Sequence, residues 1–241
     1  MPFNFGMQKA LFGKALCAVL LLLLTISLTG CLAARVPAEL TYLNGATIDS
    51  LSSNASLSFS TSERSISGSG VLMYRKPDQM RAVILSPFGS VLQEVFVSGD
   101  LVTIIDVGNG VAFSGVRSDL PETGDSSGWR YIHWLIDIDP SDSARRTSVV
   151  QRNNRFGEME KAFFENGLLV SKSTAAGGIV KYSKYTAHDG VPIPLEISYE
   201  TAAKEKFTIL LEDPDIHASF AEDTFTPKLS TYRVYPLSLL K

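Results

Sequence analysis

Few side chains in this 241-residue chain are placed by type and spacing to do chemistry. His133, His188 and His217 are widely separated in sequence, and none has a second ligand-type residue at a metal-binding spacing such as His-x-x-x-His. Ser67, Gly68, Ser69 and Gly70 lack the spacing of a Gly-x-Ser-x-Gly nucleophile elbow and lie within a strand-like run. Gly108 and Gly110 lack the third glycine and following helix of a dinucleotide loop, so they read as a turn. Asp137 and Asp139 flank Ile138 and precede Pro140, which fits a helix end or loop better than a paired acid and base. The expectation is a non-enzyme with no catalytic residue, no metal site and no cofactor. Two thiols remain, Cys17 and Cys31.

Cys31 has the more informative surroundings. The chain opens with Lys9 and Lys14 and no acid, then runs apolar from residue 15 to residue 27, a signal-peptide pattern. That core is shorter than the roughly 20 residues a membrane-spanning helix needs. Immediately after it, Leu28, Thr29, Gly30 and Cys31 resemble the bacterial lipobox, in which small residues allow cleavage just before a diacylglyceryl-modified cysteine. Residues 1–30 are thus expected to be a lipoprotein signal peptide, Cys31 the lipidated residue and residues 31–40 a tether. One acyl chain binds a membrane only marginally, so the two or three expected on Cys31 are needed to hold. Leu32 follows the cysteine in place of the Asp that marks inner-membrane retention in enterobacteria. The expected location is the outer membrane, facing the periplasm.

Composition narrows the partners. Cleavage removes Lys9 and Lys14 and no acid, so 22 basic and 25 acidic residues become 20 and 25, a net charge of about −5. An acidic chain without a basic run is a poor ligand for nucleic acid or anionic lipid, so no nucleic-acid partner is expected. With Cys17 cleaved off and Cys31 acylated, no disulfide can brace the fold, and a hydrophobic core must do so in a single monomeric domain.

The elements follow from periodicity. Leu40, Leu43, Thr47 and Leu51 fit an amphipathic helix up to about residue 53. Beyond it Leu57, Phe59 and Thr61 alternate with serines, the period of a half-buried strand. Runs at 66–74, 80–86, 91–97, 101–107 and 111–115 continue the pattern, joined by turns of hairpin length. After residue 145 it resumes at 158–164, 168–173, 179–187, 193–199 and 206–212, with Asn166 and Gly167 as the strongest hairpin signal. About eleven antiparallel strands result. Between the two groups, residues 116–146 are polar at both ends and enclose Trp129, Tyr131, Ile132, Trp134, Leu135, Ile136 and Ile138. As a helix this segment is apolar nearly all round and needs cover on several sides, although ten residues do not settle helix against strand.

The order of these parts resembles the LolA/LolB family of periplasmic lipoprotein carriers and outer-membrane lipoprotein receptors. Residues 70–85, with Gly70, Tyr74, Pro77 and Met80, are similar to the family's opening strand pair. Ser86, Pro87, Phe88, Gly89 and Ser90 are similar to the Pro-hydrophobic-Gly turn of LolB. Tyr182 to Tyr185 in sequence (Tyr182, Ser183, Lys184, Tyr185), then Gly190, Val191, Pro192, Ile193, Pro194, and then Phe225, Thr226, Pro227 recur in related lipoproteins. The resemblance covers most of residues 55–228. It implies an α+β, mainly β fold: an incomplete, strongly curved antiparallel barrel over residues 41–230, closed by a helical lid at 116–146, with residues 231–241 as an extra tail. It implies an apolar cavity for the acyl chains of lipoprotein or other lipid cargo, a periplasmic carrier protein as partner, and delivery to the membrane that holds the anchor. A scaffold for an envelope complex, its cavity filled by its own side chains, is the alternative. The residues expected to line cavity and lid are Phe59, Met73, Phe96, Trp129, Ile132, Trp134, Leu135, Leu195, Ile197, Tyr199, Phe207 and Ile209, and the turn Pro87, Phe88, Gly89 is expected to meet the membrane.

Overall fold

Period-two alternation carries most of the chain into strands. The computed structural model describes residues 40–122, 126–142, 144–154, 157–175 and 177–240, so the expected signal peptide, Cys31 and the tether as far as residue 39 lie outside the described residues. The strands are β1 (Ser50–Ser60), β2 (Ser65–Arg75), β3 (Gln79–Leu85), β4 (Val91–Ser98), β5 (Leu101–Asp106), β6 (Val111–Val116), β7 (Ser148–Asn153), β8 (Met159–Glu165), β9 (Leu168–Thr174), β10 (Ile179–His188), β11 (Val191–Glu200), β12 (Lys206–Asp215) and β13 (Arg233–Pro236). They form one sheet in the order β13-β6-β5-β4-β3-β2-β1-β12-β11-β10-β9-β8-β7. Two meanders therefore meet where β1 pairs antiparallel with β12. Only β13 on β6 runs parallel. The sheet does not close, because β13 and β7 stand at its two edges.

One face of this sheet buries the core. Leu51, Ala55, Leu57 and Phe59 of β1, Leu72 and Tyr74 of β2, Met80 and Ala82 of β3, and Val95 and Val97 of β4 point into it. From the other meander come Ile193, Ile197 and Tyr199 of β11 and Phe207, Ile209 and Leu211 of β12. Strands far apart in sheet order share this core, so the sheet curls and its concave face is the inner one. A smaller cluster, Phe96, Ile105 and Ala112, lies on the convex face against Leu229 and Tyr232.

Local chemistry explains the turns and exceptions. Asn166 and Gly167 take φ of 51° and 76° between the paired Glu165 and Leu168, as a two-residue primed hairpin requires. Pro192 and Pro194 occur in an internal strand, yet β11 pairs with β12 only from Glu196 onward. The proline-bearing half of β11 thus has one neighbour, and the missing amide donors leave no gap in a ladder.

Three expectations are corrected. The helix over 40–53 is absent: β1 already begins at Ser50, and residues before it are held by long-range bonds, with Leu43 N–H donating to Gly190 O at 2.8 Å and Gly45 N–H to Ser141 O at 2.9 Å. Gly45 has φ of 70°, which no helix accepts. Among the described residues the helical lid is also absent. Residues 116–146 contain a 3₁₀ turn at Arg117–Asp119 and two short helices, α1 (Ser127–Arg130) and α2 (Ile132–Ile136), neither with a side-chain N-cap. Finally the described residues form thirteen strands, not eleven. β7 is an edge strand exposed along nearly its whole length, and β13 has four residues, so neither shows the alternation that burial imposes.

Close approach makes one glycine indispensable. A Cβ on Gly70 would lie 1.8 Å from the carbonyl oxygen of Val83 on the neighbouring strand. Gly110 has φ of 63° but open space around it. Gly70→Ala is expected to lower stability by about 3 kcal/mol or more, since backbone must move, and Gly110→Ala by about 1 kcal/mol. Urea denaturation of the two variants checks this ranking.

Candidate functional site

The β3–β4 connection is a rigid projecting turn. Pro87 fixes one φ, Gly89 takes φ of 81°, and Gly89 N–H donates to Ser86 O at 2.9 Å, the pattern of a type I turn closed by a left-handed glycine. Ser86 Oγ accepts from the N–H groups of Phe88 at 3.3 Å and Ser90 at 3.1 Å. The Phe88 side chain has no role in that frame, and the residue is 96% exposed. An aromatic ring held in water on a braced tip gains free energy on meeting an apolar phase.

Beside this turn the concave face opens. The opening, about 160 Å³, is lined by Leu57 and Phe59 of β1, Ile66 and Gly68 of β2, Ile84 of β3, Gln93 of β4, Trp129 of α1 and Phe207 of β12. These positions lie toward the ends of β1 and β3 and the starts of β2, β4 and β12, which is the end of the sheet that carries the 86–90 turn. On β2 the inward position at this opening is Gly68, which contributes no side chain to its lining.

The two short helices plug the rest of the concave face. Trp129 packs edge-on against Phe207 at 5.6 Å between ring centres, and Trp134 edge-on against Tyr199 at 6.0 Å. Gly128 permits the contact, because a Cβ there would stand 2.7 Å from the Phe207 ring. Trp134 and its neighbours are tied down by polar groups from the sheet. The indole N–H of Trp134 donates to Glu160 Oε2 at 2.7 Å, and Arg152 Nε donates to Glu160 Oε1 at 2.8 Å. Arg152 also donates to Asp139 at 2.7 Å. Lys172 Nζ donates to the carbonyls of Trp134 at 2.7 Å and Asp137 at 2.6 Å, and Tyr182 Oη donates to that of Leu135 at 3.0 Å. Burial pushes the Lys172 ammonium below the usual lysine range, opposed by the carboxylates of Asp137, Asp139 and Glu160. Burial likewise pushes the Tyr182 hydroxyl far up, which keeps it a neutral donor.

Most of the expected cavity residues come together. Phe59, Trp129, Ile132, Trp134, Leu135, Leu195, Ile197, Tyr199, Phe207 and Ile209 all belong to or pack against the one concave core. Met73 and Phe96 do not. Met73 alternates with Leu72 and Tyr74 and so faces the convex side, half-buried. Phe96 alternates with Val95 and Val97 and is buried in the convex cluster. Sequence reasoning missed Gly68 as part of the opening. It also missed Glu160 and Lys172, which read as ordinary strand residues, and it singled out Tyr182 only for the resemblance, not for a bond to α2. Among the described residues no group of three or more His, Cys, Asp or Glu is placed to hold a metal, and no helix is long and apolar enough to cross a membrane. His217 Nε2 lies 3.1 Å from Asp189 Oδ2 on the surface.

No protein-family model and no curated protein sequence matches the chain. Solved structures do. A DUF1329 family protein from Desulfovibrio piger aligns with a TM-score of 0.58 over 74% of this chain and 90% of its own, at 12% identity. A protein domain from Vibrio parahaemolyticus, assigned to outer-membrane lipoprotein sorting, aligns with a TM-score of 0.53 over 75% and 90%, at 6% identity. The chain has the fold of that lipoprotein-sorting domain. A LolA superfamily protein from Nitrosomonas europaea also aligns, with a TM-score of 0.49 over 80% and 93%, at 12% identity. Of the expected fold, the mainly β, mostly antiparallel and unclosed sheet is found, with short helices in place of a lid.

The polar ties on α2 have a measurable consequence. Tyr182→Phe leaves the buried Leu135 carbonyl without its hydroxyl donor and is expected to lower stability by about 1–3 kcal/mol in urea denaturation. For Lys172 the folded pKa lies below the unfolded value of 10.5, so in the interval below 10.5 the unfolded chain binds more protons and stability from this group rises with pH. Lys172→Met is expected to remove that rise, read from melting curves between neutral pH and pH 10.

Proposed function

We propose that this chain takes up acyl chains of lipoproteins, or of other lipids, at the Phe88 end of its concave face and delivers them to a membrane without catalysis. Phe88 carries the proposal: a ring exposed at 96%, on a turn braced by Ser86, at the end of the concave face where an apolar opening lies. The Vibrio structure of the same fold, assigned to outer-membrane lipoprotein sorting, supports it. Lipidation at Cys31 would hold the domain at the outer membrane, within the periplasm, and a periplasmic carrier protein would bring the cargo.

The physics of uptake is a shift of apolar surface. Each methylene leaving water contributes about 0.8 kcal/mol. The opening of about 160 Å³ is smaller than the roughly 300–1,000 Å³ of ligand sites, so an acyl chain enters by displacing part of the plug. α1 is the part that yields in this proposal: Arg130 ties it to the carbonyls of Ser118 and Leu120 and Trp129 packs on Phe207, whereas α2 is tied through Trp134, Leu135 and the backbone beyond it to Glu160, Lys172 and Tyr182 of the sheet. Release requires no energy source if the bilayer offers more apolar contact than the half-open core. Phe88, inserted first, gains about 1.5–3 kcal/mol and brings the opening to the lipid surface.

A second reading, a scaffold lipoprotein of an envelope complex, is favoured by the interior itself, which Ile132, Trp134 and Leu135 fill almost completely. Lipid extraction and mass spectrometry on Cys31→Ala protein separate the two: bound phospholipid or lipoprotein supports the carrier, an empty barrel the scaffold. The direct test is Phe88→Glu. An exposed surface change is expected to alter stability by less than about 0.5 kcal/mol while slowing transfer of a fluorescent acylated peptide to vesicles by about tenfold. Unchanged transfer contradicts the proposal.

A further inference from the structure

The convex face carries a second opening, of different chemistry. A cleft of about 370 Å³ lies between β3, β4 and β5 and the C-terminal segment that crosses them. That volume falls within the roughly 300–1,000 Å³ of small-molecule sites. Phe96 and Ile105, both almost fully buried, make its floor. On one side Arg81 Nη2 donates to Glu94 Oε2 at 2.6 Å, and its guanidinium lies 5.0 Å from the centre of the Phe96 ring. Arg81 Nη1 also donates to the Thr224 carbonyl at 3.4 Å, which ties the crossing segment to the sheet. On the other side Lys228 Nζ stands 2.9 Å from Asp223 Oδ2, beside Thr226, Thr231 and Tyr232.

Two features of this lining select the ligand. Each cation is matched by a carboxylate, so the cleft has no net charge with which to hold a phosphate or an anionic headgroup. Its surface is mostly polar, so an acyl chain placed there would strand hydrogen-bonding groups. A neutral ligand with many hydroxyls and one apolar ring face suits both conditions. Both guanidinium bonds to Glu94 fall on Oε2, which leaves Oε1 to accept from a ligand hydroxyl. The hydroxyls of Thr226 and Thr231 both donate and accept, and Tyr232, packed against the Phe96 cluster, adds an aromatic ring to the lining, the kind of surface on which a pyranose packs.

We propose that this cleft, framed by Arg81, Glu94, Thr226, Lys228 and Tyr232, binds an oligosaccharide. It lies on the face opposite the apolar mouth and depends on different residues, so it stands or falls independently of acyl transfer. A lipid-transfer domain with a saccharide site on its convex face would hold to a glycan while its concave face remains free.

Isothermal titration of the full chain in detergent tests it, with maltotetraose as a neutral hexose probe, tetra-N-acetylchitotetraose as an amino-sugar probe, and inorganic phosphate. Saturable binding of one or both sugars with a Kd at or below roughly 1 mM, and none of phosphate, is expected. Which sugar binds tells hexose from amino-sugar glycans. Thr226→Val, on an exposed residue whose loss leaves the fold intact, and Tyr232→Ala are each expected to weaken binding by about tenfold, while Phe88→Glu leaves it unchanged. No saturable sugar binding at roughly 10 mM, phosphate binding in place of sugar, or sugar binding that both cleft variants leave intact overturns the proposal.

Discussion

A curled sheet that stops short of closing has a concave face from which water must be kept, and here four residues of α1 and five of α2 are the helical cover. Helices this short form no stable turn on their own, and neither carries a side-chain N-cap. The sheet has to supply what they lack. Lys172 and Tyr182 reach from β9 and β10 to the carbonyls of α2 and the residue after it, and Glu160 on β8 takes the indole proton of Trp134. Because those donors and acceptors are buried, each would be costly unpaired, so helix and sheet stabilise each other or fail together.

From that constraint comes an uneven cover. α2 is fixed at several points to the β8–β10 side, and α1, bonded through Arg130 to the carbonyls of Ser118 and Leu120, rests on Phe207 beside the opening at Gly68. The part of the plug without polar ties to β8–β10 therefore lies at the end where Phe88 projects. An apolar ring outside and a small apolar opening behind it, lined by Trp129, form one path from solvent toward the core. The proposed acyl transfer uses that path. The convex face is built on a different principle, with ion pairs and threonines over an aromatic floor.

Much of this was legible in the sequence where one local rule dominates. Pro87 and Gly89 dictate the turn that exposes Phe88, and Asn166 with Gly167 dictates its hairpin. Strict alternation put Ile197, Tyr199, Phe207 and Ile209 on one face. Where apolar residues are consecutive the parity of a strand is undetermined, and so Met73, between Leu72 and Tyr74, and Phe96, between Val95 and Val97, were assigned to the wrong side. Lys172 and Glu160 were illegible for another reason: their burial depends on carbonyls and an indole more than twenty residues away in sequence. The strand β13 was hidden because four exposed residues impose no pattern, and the helix expected at 40–53 lost to tertiary hydrogen bonds at Leu43 and Gly45.

Acyl entry beneath Trp129 can be read directly from fluorescence, because Trp129 and Trp134 are the only tryptophans of the chain. A fatty acid brominated near its terminal methyl quenches tryptophan only on close contact. Saturable quenching of the native chain that is largely lost in Trp129→Phe is the expected result. Binding that leaves the emission unchanged, or quenching that persists in Trp129→Phe, would contradict entry at the Phe88 end.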